Sequence, residues 1–163
     1  MPLILSFYNI SISSRLRPNY VVFNVIDNNN FYNTTIDELK NNHYDCVIVS
    51  AALSDYEYEA STEKIDSSRN LSLVLKPAKK LKAILKEQFR IPLVNFKLTH
   101  RDKDITAEND EIVVVNYIED NVIGSQSGRY RYIVRGQDQG EDLMTKSSMA
   151  EKLIRIIQEE IER

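Results

Sequence analysis

Short apolar runs alternate with amphipathic stretches along nearly the whole chain. Leu3–Tyr8 and Tyr20–Ile26 read as strands, the second carrying Val21, Val22, Phe23, Val25 and Ile26. Asp27–Asn33 reads as an asparagine-rich loop, after which Thr34 or Thr35 caps a short helix to Asn42 with Ile36 and Leu39 facing inward. Cys46-Val47-Ile48-Val49 is a continuous apolar run of the kind that parallel strands buried on both faces carry. Residues 52–70 form a polar loop rich in acid and serine. Leu71–Lys76 reads as a strand, Pro77 suits a first helical position, and Leu81, Ile84, Leu85 and Phe89 keep helical spacing. Ile91–Leu98 and Glu111–Tyr117 are two further strands. Between Gly124 and Gly140 a hairpin is expected, with Tyr130, Tyr132 and Val134 alternating against Arg129, Arg131, Ile133 and Arg135. The closing helix begins at a capping box of Ser148 and Glu151, and Ala150, Leu153, Ile154, Ile157 and Ile161 form one apolar stripe.

Strands alternating with helices predict an α/β fold: a mostly parallel sheet with helices on both faces, Rossmann-like but incomplete, plus a carboxy-terminal β-hairpin and helix. A length of 163 residues fits one domain spanning 1–163, large enough to bury a core without disulfide or metal. Ligands of such sheets sit outside the carboxyl ends of the strands, which directs attention to residues 51–70, 96–109 and 116–127.

Composition narrows the chemistry. A net charge of −3 gives no reason to expect a nucleic-acid partner, since that binding rests on many phosphate-neutralising cations. The single cysteine, Cys46, excludes an internal disulfide and fits a reducing compartment; inside an apolar strand it reads as buried. The first residues lack a basic leader, and no window approaches the roughly 18 apolar residues of a membrane helix, so a cytoplasmic chain with no membrane association is expected. All four glycines fall at or beyond Gly124. Loops that cradle phosphate use glycine to bring backbone N–H groups close to the anion, so residues 1–123 hold neither a Walker loop nor a dinucleotide fingerprint. His43 and His100 lie far apart with no ligand cluster, and no metal site is expected.

Three segments at strand ends carry the candidate chemistry. Ala51 and Ala52 leave room for a flat ligand against the backbone, and Asp55 either accepts hydrogen bonds from it or is a solvated aspartate in a tight turn. Lys64, among Glu57, Glu59, Glu63 and Asp66, is either a phosphate contact or part of a solvated charged loop. Phe96 is core or packs on a nucleobase, and Asn116 closes a strand as a turn former or a ligand contact. Lys76, Lys79, Lys80, Lys82 and Lys86 make a basic helix face, solvated or steering phosphate. The Arg129–Arg135 hairpin reads as a subunit edge or a phosphate contact.

In order and spacing these segments resemble the carboxy-terminal part of the phosphopantothenoylcysteine synthetase (phosphopantothenate–cysteine ligase) family, often fused to a flavin-dependent decarboxylase. An A-A-V-x-D-Y stretch after a strand is matched by Ala51, Ala52, Leu53, Ser54, Asp55 and Tyr56. A K-I-K loop is matched at Lys64 and Ile65, and a P-x-x-K helix start at Pro77 and Lys80. An S-F-K-L-E-T stretch is resembled by Phe96, Lys97 and Leu98, an A-N-D stretch only by Asn116, and a closing S-K-x-x-x-A-E-K-I helix by Lys146 to Ile154. The likeness runs from about residue 20 to the end.

The resemblance implies a ligase in coenzyme A biosynthesis. CTP or ATP, entering with Mg as substrate, activates the carboxylate of 4′-phosphopantothenate as an acyl-nucleotide, and the amine of cysteine attacks it. By the same resemblance Lys64 is the catalytic phosphate contact. Ala51, Ala52, Asp55 and Lys80 border the nucleotide, and Phe96 and Asn116 line its base and sugar. Flavin mononucleotide belongs to the decarboxylase unit and is not expected here. The family's amino-terminal glycine-rich phosphate loop has no counterpart in this sequence. The resemblance implies either a homodimer, which is the family's habit, or a separate partner chain supplying the glycine-rich half. Further departures are Asp66 and Ser67 in place of lysines, Thr99 and His100 in place of glutamate and threonine, and only Arg101–Asp110 where a long helix is expected. A divergent, non-catalytic interaction or regulatory module is the alternative.

Overall fold

The structure is a computed structural model that describes residues 2–5, 23–51, 53–58, 68, 70, 72–108, 111–120 and 124–162. Its elements run β1 (Pro2–Leu5), α1 (Asn28–Asn41), β2 (Cys46–Val49), β3 (Tyr56–Glu57), β4 (Lys76–Pro77), α2 (Leu81–Gln88), β5 (Leu93–Thr99), β6 (Glu111–Tyr117), β7 (Ser127–Val134), β8 (Gln137–Thr145) and α3 (Lys146–Ile161). Among the described residues the main sheet has the order β1-β2-β5-β6-β7-β8. The first four strands are parallel, and the β7–β8 hairpin extends them antiparallel. β3 and β4 form a separate two-stranded ribbon.

Side-chain alternation assigns the two faces. Val47 and Leu93 point to one face, where they meet Phe31, Tyr32 and Leu39 of α1 and Leu81 and Leu85 of α2. Ile48, Val94, Ile112 and Val114 point to the other and are covered by Leu153 and Ile157 of α3. β6 is buried along both faces, as its unbroken Ile112-Val113-Val114-Val115 run requires. On the α1/α2 face beyond α2, Val113, Val115, Tyr117 and Ile133 are covered by Ile105 and Ala107 of the 100–108 segment. That segment has no helix, so a short stretch of coil does the covering. Helices on both faces of a mostly parallel sheet, with a closing hairpin and helix, are the architecture the alternating pattern predicts.

Several local expectations give way. Phe23–Ile26 is not a strand, and Ile26 is almost wholly exposed; residues 20–22 lie outside the described set. Instead the Ile26 N–H donates to Asn30 Oδ1 at 3.3 Å, and Asp27 caps α1 by accepting from the Asn30 N–H at 2.7 Å. The asparagine-rich stretch is therefore the first turn of a helix, and Thr35 is an interior residue whose hydroxyl donates to the Phe31 carbonyl. Weak helix propensity is overridden because Phe31, Tyr32 and Leu39 all bury on one side. Residues 72–75 are exposed and outside any ladder, and only Lys76–Pro77 pairs, with Tyr56–Glu57. Pro77 is thus a ribbon residue, and the cap position of α2 is Lys80.

At the other end the cap of α3 is Thr145, which accepts from the Ser148 N–H at 3.1 Å; Ser148 is inside the helix. The apolar stripe of α3 is also rotated. Leu153 and Ile157 bury, helped by Met149 and Ile156, while Ala150, Ile154 and Ile161 face outward. The helix carries apolar residues around a wide arc, and the sheet chooses which part of it to cover.

Candidate functional site

Parallel strands place their carboxyl ends on one edge of the sheet. There β2 runs out through Ser50 and Ala51, β5 ends at Thr99 and β6 at Tyr117. Ala51 is half-buried and packs, with Leu53, into the cluster beneath α1 and α2. Asp55 follows on an exposed turn and forms an ion pair with Lys80, which precedes the first turn of α2. Two backbone features fix this meeting of residues 25 apart. The Ala78 N–H donates to the Asp55 carbonyl at 2.9 Å, and β3 pairs with β4 immediately alongside.

Tyr32 of α1 belongs to the same place. Its hydroxyl donates to the Lys79 carbonyl at 2.9 Å, and its ring is buried. Burial raises the phenol above its ordinary range; the Lys80 ammonium pulls it down and the Glu57 and Asp55 carboxylates push it up. Sequence reasoning missed Tyr32 because it fell in a stretch read as loop. The available signal was Asp27 capping Asn30, which makes Phe31, Tyr32, Thr35 and Leu39 one helical face.

Phe96 and Asn116 lie on the opposite face. Phe96 is partly buried and packs into the cluster under α3, which fits the core reading of that residue. Asn116 sits beside Leu98 of β5 and Tyr130 of β7, and its Oδ1 is buried without a hydrogen-bond partner among the described residues. The sheet therefore brings Ala51, Asp55 and Lys80 together on one side, and Phe96 and Asn116 on the other. Ala52 and Lys64 lie outside the described residues.

Several further cations of the sheet and its loops are held by acids. Arg101 lies over the Tyr117 ring, 4.4 Å from its centroid, and ion-pairs with Asp120 and Glu141. His100 Nδ1 is 2.8 Å from Glu119, whose carboxyl it holds below the usual range. Arg131 is bound by Asp138 and the Tyr117 hydroxyl and Arg129 by Glu141, while Arg135, at the opposite end of β6, pairs with Glu160. The basic face expected on α2 resolves in the same way: Lys82 and Lys86 lean on Glu108 and Glu111. Among the described residues no group of three or more histidine, cysteine, aspartate or glutamate side chains could hold a metal ion, and no helix is long and apolar enough to cross a membrane. An open groove of about 460 Å³ lies at the opposite edge of the sheet, between Leu39, His43, Tyr44, Phe89 and Arg90, away from the Asp55–Lys80 pair.

Comparison with known proteins adds two findings. The family model described as "DNA/pantothenate metabolism flavoprotein C-terminal domain" matches residues 10–161. Among solved structures, the DNA/pantothenate metabolism flavoprotein from Streptococcus pneumoniae is similar in fold, with a TM-score of 0.70 at 21% identity, over 96% of this chain and 80% of that one. A search of curated proteins gave no match.

Proposed function

The chain belongs to the family of the DNA/pantothenate metabolism flavoprotein C-terminal domain, and from that premise we propose that it is the nucleotide-binding part of a phosphopantothenate–cysteine ligase. Family membership places it in pantothenate and coenzyme A metabolism. The finer reading has CTP or ATP, with Mg, convert the carboxylate of 4′-phosphopantothenate to an acyl-nucleotide with loss of pyrophosphate. The cysteine amine then forms the amide and releases the nucleoside monophosphate. Positioning and electrostatic stabilisation dominate such chemistry.

The observation that carries this reading is Asn116. Among the described residues its buried carboxamide oxygen accepts no hydrogen bond; such acceptors are rare in folded proteins, and leaving one unmade costs about 1–3 kcal/mol. A hydroxyl donated by the sugar of a nucleotide would relieve it at the sheet edge where α/β folds take ligands. Across that edge Ala51, Ala52, Asp55 and Lys80 would border the phosphates, and Lys64 would contact them as the catalytic cation. Phe96, which is only partly buried where it packs under α3, would line the base. A glycine-rich phosphate loop would come from a separate chain.

A second reading, a non-catalytic interaction or regulatory module, is favoured by a different observation. Lys80, Arg101 and Arg131 at this edge are each already matched by carboxylates, which an incoming triphosphate must displace. Thermal unfolding with Mg-CTP, Mg-ATP and 4′-phosphopantothenate separates the two. Ligand at about 100 times its dissociation constant stabilises by about 2.7 kcal/mol. A rise in Tm with one nucleotide, lost in Lys64→Ala and Asn116→Ala, supports the ligase reading. No rise with any of them, alone or with a glycine-loop partner chain, rejects it.

A further inference from the structure

Lys80 has an exposed side chain, yet the backbone that aims it is tightly held. It occupies the cap position of α2 with extended backbone (φ −82°, ψ 122°) and makes no side-chain cap hydrogen bond, so its direction is set by the peptides on either side. Before it, the Ala78 N–H is bound to the Asp55 carbonyl at 2.9 Å, and the Lys79 carbonyl accepts from the Tyr32 hydroxyl at 2.9 Å. After it, the Lys80 carbonyl accepts the Ala83 N–H at 3.0 Å. Of these tethers only the Tyr32 hydroxyl comes from α1, 47 residues away in sequence. Tyr32 is a rigid anchor: its ring is 8% exposed and packs edge-on against Phe31 with centroids 6.3 Å apart.

We infer that Tyr32 is a positioning residue, which holds the Lys79–Lys80 backbone through its hydroxyl so that the Lys80 ammonium is presented at the carboxyl edge of the sheet, beside Asp55, for a phosphate group. The inference rests on the nucleotide-site reading above and assigns to it a residue from an element that reading does not use. In the resting protein the ammonium lies on the Asp55 carboxylate. When an anionic phosphate enters, the ammonium transfers between two acceptors a short swing apart, without the backbone having to be ordered first. That pre-organisation lowers the entropic cost of the contact. No proton or covalent bond moves.

The test is Tyr32→Phe, which keeps the ring and removes only the hydroxyl, made in the whole chain and in a Lys80→Ala background. Mg-CTP and Mg-ATP affinities are measured by calorimetry, with the glycine-loop partner present if binding requires it. Lys80 is followed without ligand through the NMR resonance of its ¹³C-dimethylated amine, identified by its loss in Lys80→Arg. The hydroxyl is worth one ordinary hydrogen bond, so Tyr32→Phe should weaken nucleotide binding about three- to tenfold and change it by less than about twofold when Lys80 is already alanine. The Lys80 resonance should shift and sharpen in Tyr32→Phe. Equal weakening in both backgrounds would overturn the inference, because a general loosening of α1 does not act through Lys80. So would an unmoved Lys80 resonance, whatever nucleotide does. A moved resonance in a protein that binds no nucleotide would leave the positioning role standing and reject the nucleotide reading alone.

Discussion

Glu111 opens β6 with 1% of its surface exposed, beneath the two α2 lysines. Its carboxylate accepts the Glu108 N–H at 3.0 Å and lies 2.6 Å from Lys82 Nζ and 3.8 Å from Lys86 Nζ. At an effective dielectric of about 20 the nearer pair attracts by about 6 kcal/mol gross, and removing a carboxylate from water takes back several of these. The Lys82 side chain is 39% exposed, so its ammonium can return to solvent once the acid is gone, which holds the penalty below the roughly 3–5 kcal/mol of a wholly buried pair. Glu111→Gln keeps an acceptor for the Glu108 N–H and removes only the charge. It should cost about 1.5–3 kcal/mol and lower Tm by about 4–10 °C. A double-mutant cycle with Lys82→Met, read by urea unfolding, should return a coupling of about 1–2 kcal/mol that persists in about 1 M salt. The Asp55–Lys80 pair, with both side chains well exposed, serves as the internal control: its cycle should give less than about 1 kcal/mol and vanish in salt. If the Glu111 coupling is no larger than the control, or screens as readily, burial does not govern the strength of these pairs and the reasoning fails.

The β7–β8 turn places Arg135 at φ 49° and Gly136 at φ 76°, and a Cβ on Gly136 would stand 3.3 Å from the Ala107 carbonyl oxygen. Gly136→Ala should therefore lose about 1–2 kcal/mol in chemical denaturation, whereas Gly140→Ala, with open space around it, should lose only the backbone part. Leu153→Ala should cost about 2–5 kcal/mol and Ile154→Ala less than about 1, a comparison that checks which arc of α3 meets the sheet. Alkali should destabilise the fold. Burial raises Cys46 to about 11 and Tyr132 to about 12, and burial together with the Glu38 hydrogen bond raises Tyr44 to about 12. The native state then holds protons that the unfolded chain releases from its ordinary values of 9.0 and 10.0. Stability should be full below about pH 9 and fall as the pH rises through the native values, as denaturation midpoints at pH 8, 9.5 and 11 would record.

The parallel strands, the hairpin and the amphipathic helices were written in local pattern. A run such as Ile112–Val115 can satisfy itself only inside a sheet, and Tyr130, Tyr132 and Val134 can share a face only in a strand. The ordered motifs at Ala51–Tyr56, Pro77–Lys80 and Phe96–Leu98 likewise pointed from sequence alone to the family that the comparison established. Pattern did not determine what depends on partners distant in sequence. Phe23–Ile26 has strand composition but no ladder, because Asp27 caps a helix immediately after it. The closing helix offered a broad apolar arc, and packing against the sheet buried Leu153 and Ile157 and left Ile154 and Ile161 exposed. The same holds for the site. Asp55 and Lys80 were each visible as candidates, but their pairing, and the Tyr32 hydroxyl that fixes the backbone behind Lys80, required three separate elements to converge on one sheet edge. Hydrophobic periodicity is a local property that a reader of sequence can measure. Ion pairing, capping choice and the satisfaction of a buried carbonyl are settled by whichever group the fold brings within about 3 Å, and only the tertiary structure decides that.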